Sequence, residues 1–142
     1  MYSRILLPTD GSEEAQAAVD TALSLAAKYD TDIHVVHVIN TRRYDTSIDS
    51  LVAPLRKEGK KHLQRVLEAT AEADIPVTTT LEMGRPGRAL LEYADEHDVD
   101  LIVMGTRGRG GLPRRMLGSV TNHLVTHADI AVHVVPPVGT AE

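Results

Sequence analysis

The chain has 142 residues, 37 of them Leu, Ile or Val, enough for one domain with a buried core and no disulfide or metal staple. It has no cysteine, so thiol chemistry and thiolate metal sites are excluded. Its net charge of −5, with no Phe, no Trp and four Tyr, argues against a nucleic-acid partner, which would need phosphate neutralisation and stacking platforms.

The opening residues MYSRILLPTD turn polar before a signal-peptide core could form. No aliphatic run approaches the roughly 20 residues that span a bilayer. The expectation is a soluble cytoplasmic chain with no membrane partner, residues 1–142 forming a single domain.

Strand and helix patterns alternate along the chain. Ser3 to Leu7 is a short apolar run stopped by the turn formers Pro8-Thr9-Asp10-Gly11. Ser12 can then cap a helix whose first turn carries Glu13 and Glu14, and Ala15, Ala18, Val19, Ala22, Ala26 and Tyr29 make its apolar face. Ile33 to Ile39 reads as a second buried strand. Residues 40–53 are a long polar connection, of the kind that is usually functional or mobile. A helix is predicted from about Pro54 to Ala73, with Pro54 confined to its first turn. Its apolar side carries Leu63, Val66, Leu67 and Thr70. Ile75 to Glu82 gives a third strand, Gly87 to His97 a third helix and Leu101 to Met104 a fourth strand. A Gly- and Arg-rich loop follows, then a helix over Ser119 to Ala128 and a fifth strand over Ala131 to Val135, stopped by Pro136-Pro137.

Short strands alternating with helices predict an α/β fold: a doubly wound, five-stranded parallel sheet with right-handed crossovers and helices on both faces. Ligands in such folds bind beyond the carboxyl ends of the strands, where strand order reverses. The loops at 8–12 and 105–119 face each other there if the first and fourth strands are neighbours, which is the economical arrangement.

Five of the ten glycines fall between positions 105 and 118, where an even spread would put one. Glycine lets a ligand approach peptide N–H groups, and successive N–H groups form an anion-binding concavity. Gly118-Ser119 then opens a helix whose N-terminus attracts phosphate. Arg107, Arg109, Arg114 and Arg115 add charge that can offset a polyphosphate. The blander alternative, a surface loop relaxed by glycine, leaves those arginines unexplained. Gly111-Leu112 stand where a Walker A loop needs Lys and Ser/Thr, and Pro113 occupies the last glycine position of a G-x-G-x-x-G fingerprint.

What fits is G-x2-G-x9-G-[ST], carried by Gly105, Gly108, Gly118 and Ser119. With Ile5-Leu6-Leu7-Pro8-Thr9-Asp10-Gly11-Ser12, Val36-His37-Val38 and Gly118-Ser119-Val120-Thr121, the chain resembles the ATP-binding branch of the universal stress protein family over essentially its whole length. The resemblance implies a Rossmann-like sheet of order 3-2-1-4-5 with four helices. It implies that Pro8, Thr9, Asp10, Val38 and Met104 frame adenine and ribose, with Gly105 beside the ribose. Gly108, Arg109, Gly118, Ser119, Val120 and Thr121 would hold the phosphates through backbone N–H groups and hydroxyls. It also implies a homodimer through the last strand, Ala131 to Val135, whose valines form an apolar sheet edge open to pairing.

A carboxylate about 4 Å from a phosphate charge costs roughly 4 kcal/mol at an effective dielectric near 20. Asp10 is therefore expected on ribose hydroxyls, or near the phosphates only with Mg²⁺ between; the alternative is a turn aspartate bonding its own backbone. His123 and His127 have an i, i+4 zinc spacing, but Leu124 replaces the Glu of a zinc protease, so solvated helix histidines are expected. His34 and His37 point to opposite faces of their strand. His37 is either a contact to the nucleotide region or a satisfied strand histidine.

The expected function is an ATP-binding stress-response module, taking ATP with Mg²⁺, with occupancy as a signal to regulatory protein partners. The alternatives are a slow ATP hydrolase or phosphotransferase, for which no general base is evident, and a nucleotide-free dimerisation scaffold.

Overall fold

The computed structural model describes residues 2–44, 47–106 and 117–136. In chain order these form β1 (Arg4–Pro8), α1 (Glu13–Tyr29), β2 (Asp32–Asn40), α2 (Asp49–Thr70) and β3 (Val77–Gly84). Then come α3 (Pro86–Glu96), β4 (Leu101–Gly105), α4 (Ser119–His127) and β5 (Ala131–Val135). Every strand pair is parallel and the sheet order is β3-β2-β1-β4-β5, the expected Rossmann-like arrangement with β1 beside β4.

Successive side chains of a strand point to opposite faces, so apolar runs feed two cores. Ile5, Leu7, Ile33, Val35, Leu101 and Val103 pack beneath α1 and α2 with Val19, Leu63 and Val66. Leu6, Val36, Ile102 and Met104 face α3 and α4, meeting Leu90, Tyr93 and Leu124. The two strand histidines separate as alternation requires. His34 lies 2.6 Å from the Tyr93 hydroxyl of α3, whereas His37 sits beside His62 of α2.

Several boundaries differ from the sequence reading. The largest shift is in α2, which starts at Asp49 and not near Pro54, so Pro54 lies inside the helix. A proline there removes one helix hydrogen bond, at a cost of roughly 3 kcal/mol. The site tolerates it because Ser50, whose carbonyl loses its partner, is exposed, while Val52 is buried and anchors the first turns. The long polar connection contracts accordingly. The third strand starts two residues late because Pro76 precedes it, and it runs on to Gly84, opposite Asn40 of β2. The third helix starts at Pro86, whose fixed φ suits a first helical position. No helix among the described residues is long and apolar enough to cross a membrane.

Candidate functional site

Beyond the carboxyl ends of β1, β2 and β4, where strand order reverses, a cleft of about 300 Å³ opens. That volume is at the lower end of the roughly 300–1,000 Å³ usual for small-molecule sites. Pro8, Thr9 and Asp10 line it from the β1–α1 turn, Val38 from β2, and Met104 and Gly105 from β4. Gly118, Ser119, Val120 and Thr121 line it from the start of α4. These ten residues, singled out in sequence, thus come together in one cavity. Gly108 and Arg109, with Arg107, Arg114 and Arg115, lie outside the described residues.

The β1–α1 turn is held by its own side chains. Thr9 Oγ1 accepts the Gly11 N–H at 3.3 Å, and Asp10 Oδ1 accepts the Ser12 N–H at 2.9 Å. Asp10 therefore is a turn aspartate and a cleft residue at once, one carboxylate oxygen serving the backbone. Ser12 caps α1 as expected, its Oγ accepting the Ala15 N–H at 3.1 Å. Gly11 takes φ +81, a left-handed conformation that glycine supplies without steric cost.

Opposite this turn stands the N-terminus of α4. Gly118 precedes it with extended backbone, φ −64 and ψ 161, so positive φ is not why a glycine occupies the position. No side chain caps the helix and no acidic residue sits in its first turn. The leading N–H groups, which have no partner within a helix, are left to the cleft side with the positive end of the helix dipole. Thr121 is more specialised than its motif suggests. It is 2% exposed and its hydroxyl donates to Gly105 O at 2.9 Å, so it fastens α4 to β4, and only its N–H remains for a ligand. Ser119 keeps an exposed side chain at the mouth. At the start of the glycine loop, Thr106 Oγ1 is buried with no hydrogen-bond partner among the described residues.

Sequence reasoning missed a second wall. Asn40, Arg43, Tyr44, Leu55, Glu58 and His62 line the cleft from the end of β2 and from α2, and Pro86 and Leu90 from α3. His37 also lines it, and its Nδ1 donates to Thr9 O at 2.8 Å, which makes it both a satisfied strand histidine and a cleft residue. The missed signal was the spacing Gly59, His62, Leu63, Val66, which puts His62 on the inner face of α2. His123 and His127 stack on each other at 4.4 Å, and His127 Nδ1 donates to His123 O. No trio of His, Asp and Glu among the described residues could hold a metal ion.

Comparison with known proteins agrees with this fold. Residues 1–136 match the family model of the universal stress protein family. Universal stress protein MJ0531 of Methanocaldococcus jannaschii is 31% identical over 140 residues, covering 95% of this chain and 82% of that protein. The solved structure of hypothetical protein MJ0577 superposes with a TM-score of 0.87 at 28% identity, covering 95% of this chain and 96% of the other. A universal stress protein solved in complex with cAMP gives a TM-score of 0.70 at 26% identity, over 96% and 98% of the two chains. The chain belongs to the universal stress protein family.

Proposed function

We propose that this chain is an ATP-binding regulatory module of the stress response, its nucleotide occupancy serving as the signal. One observation carries the reading. The ribose-side turn at Thr9–Asp10, the apolar residues Val38 and Met104, and the uncapped N-terminus of α4 line a single cleft at the crossover of β1 and β4. That combination supplies an apolar slot for a base, a carboxylate for hydroxyls and a row of N–H donors for phosphate. The cAMP complex of a structural neighbour supports an adenine nucleotide as the ligand class. Mg²⁺ would accompany the phosphates, held by them and by water, as this ion usually keeps several waters.

Binding is favoured over turnover. Asp10 already serves the turn with one oxygen, and the α4 end of the cleft presents backbone donors and hydroxyls with no base among its described residues. The edge position of β5 supports a homodimer through Ala131 to Val135.

The test has two arms. Mass spectrometry of nucleotide released from the purified, denatured protein is expected to find ATP. Calorimetric titration is expected to show Gly118→Val weakening ATP by about a hundredfold or more, through loss of two charge-assisted hydrogen bonds at roughly 1.5–3 kcal/mol each. Ser119→Ala, which removes one hydroxyl, is expected to cost about tenfold. Unchanged affinity in a folded Gly118→Val protein would remove α4 from the phosphate site.

A further inference from the structure

Among the described residues, Gly59 and Gly11 make room for the two imidazole rings of the cleft. A Cβ placed on Gly59 of α2 would stand 2.8 Å from His37 Cδ2 and 2.7 Å from Leu81 Cδ1. A Cβ on Gly11 would fall under 3.0 Å from three ring atoms of His62. The rings they admit lie 5.2 Å apart, centroid to centroid, with planes tilted by 59°. The His62 side chain is only 4% exposed, and its Nε2 stands 3.5 Å from Glu58 Oε1 one turn earlier on α2. Both rings and Glu58 line the cleft.

These rings grip the turn that faces the ribose side. His37 holds the Thr9 carbonyl and His62 lies against Gly11, so the pair brackets Asp10 on both sides. Imidazole is also the side chain whose ordinary titration lies between pH 5 and 8. We propose that His62 and His37 are positioning residues of the cleft, and that His62 takes up a proton when a polyphosphate nucleotide enters. This rests on the nucleotide reading above.

The charged groups around the pair set the direction. Glu58 lies beside His62 on its own helix, and Asp10 of the β1–α1 turn and Arg43 of the β2–α2 connection line the same cleft. Arg65 of α2 lines a smaller cavity of about 200 Å³ shared by His62, Gly11 and the neutral Gln16 of α1. Leu81 of β3 is apolar. Around the pair the charged groups are thus two carboxylates and two guanidiniums. A phosphate chain adds several negative charges and favours the His62 imidazolium, while His37 keeps its bond to the Thr9 carbonyl. Affinity is therefore expected to rise as pH falls, by roughly fivefold between pH 8 and pH 5.5, the low end of ordinary coupling between sites.

Calorimetry of ATP binding, run at each pH in two buffers of different ionisation heat, counts protons taken up. The nucleotide's own titration cancels in the difference between wild type and His62→Gln. Wild type is expected to take up more protons than the variant. The titration midpoint of the His62 ring, followed by NMR in wild type with and without ATP, is expected to move upward on binding. That measurement decides even if His62→Gln fails to fold. Equal proton uptake, or a His62 midpoint unmoved by bound ATP, would overturn the proposal, including the case where the variant binds more weakly by the same factor at every pH. No ATP binding by wild type at any pH would overturn the nucleotide reading and this proposal with it.

Discussion

Replacing Gly11 by alanine tests how tightly the β1–α1 turn is built against α2. The backbone at Gly11 has φ +81, where an L side chain costs about 1–3 kcal/mol. The new methyl would also fall under 3.0 Å from His62 ring atoms, and that ring is 4% exposed. Overpacking of this kind costs about 1–3 kcal/mol. Gly11→Ala is thus expected to lose about 2–6 kcal/mol, a large part of the roughly 5–15 kcal/mol that holds a domain folded. Urea unfolding followed by circular dichroism reads the loss directly. The two contributions separate in a double-mutant cycle, because His62→Ala removes the clash and leaves the backbone strain. The cycle is expected to show about 1–3 kcal/mol of coupling. Additivity within about 0.5 kcal/mol would refute the steric argument. A total loss below about 1 kcal/mol would refute both parts.

Thr121→Val keeps the shape but strands the Gly105 carbonyl, and is expected to cost about 1–3 kcal/mol by the same urea assay. Ser12→Ala removes the cap of α1 and is expected to cost about 1 kcal/mol; a loss under about 0.3 kcal/mol would deny the cap its role. Burial holds His34 below the ordinary imidazole range, against the opposing pull of Asp32. The unfolded chain therefore takes up a proton first as pH falls below about 6.5, and stability present above that pH declines toward the folded midpoint. Urea midpoints at pH 7.5 and 5.5 are expected to differ more in wild type than in His34→Gln. Sedimentation at micromolar concentration is expected to find a dimer; a monomer with and without ATP would refute pairing through β5.

The alternation of short apolar runs with helical faces was legible in full because both faces of a parallel sheet are buried, and Ile5-Leu6-Leu7 or Leu101-Ile102-Val103 can serve nothing else. Periodicity alone did not place β1 beside β4; that came from the resemblance carried by the glycine motif. The start of α2 was hidden by Pro54, since a local rule against proline was overridden by burial of Val52 in the turn before it. His62 was hidden for another reason: its spacing with Leu63 and Val66 puts it on the inner face of α2, but the room its ring fills is left by Gly11, fifty-odd positions earlier. Thr121 was assigned to the ligand by its motif, but its hydroxyl is already taken by Gly105, a partner visible only once β4 and α4 are packed.

The parallel pairing of Ile5 with Leu101 has a temporal side. The cleft draws its walls from Pro8 through Thr121, so it does not exist on a chain that has only β1, β2 and β3. A polypeptide emerging from the ribosome could finish three strands and two helices and still have nothing for a ligand to hold. Whatever fills the cleft selects the completed fold alone and stabilises it by RT ln(1 + [L]/Kd). At a concentration a hundred times Kd that is about 2.7 kcal/mol, delivered only to chains that have brought their first strand against their fourth. Ligand supply would then set how many finished copies persist when heat or acid thins the margin.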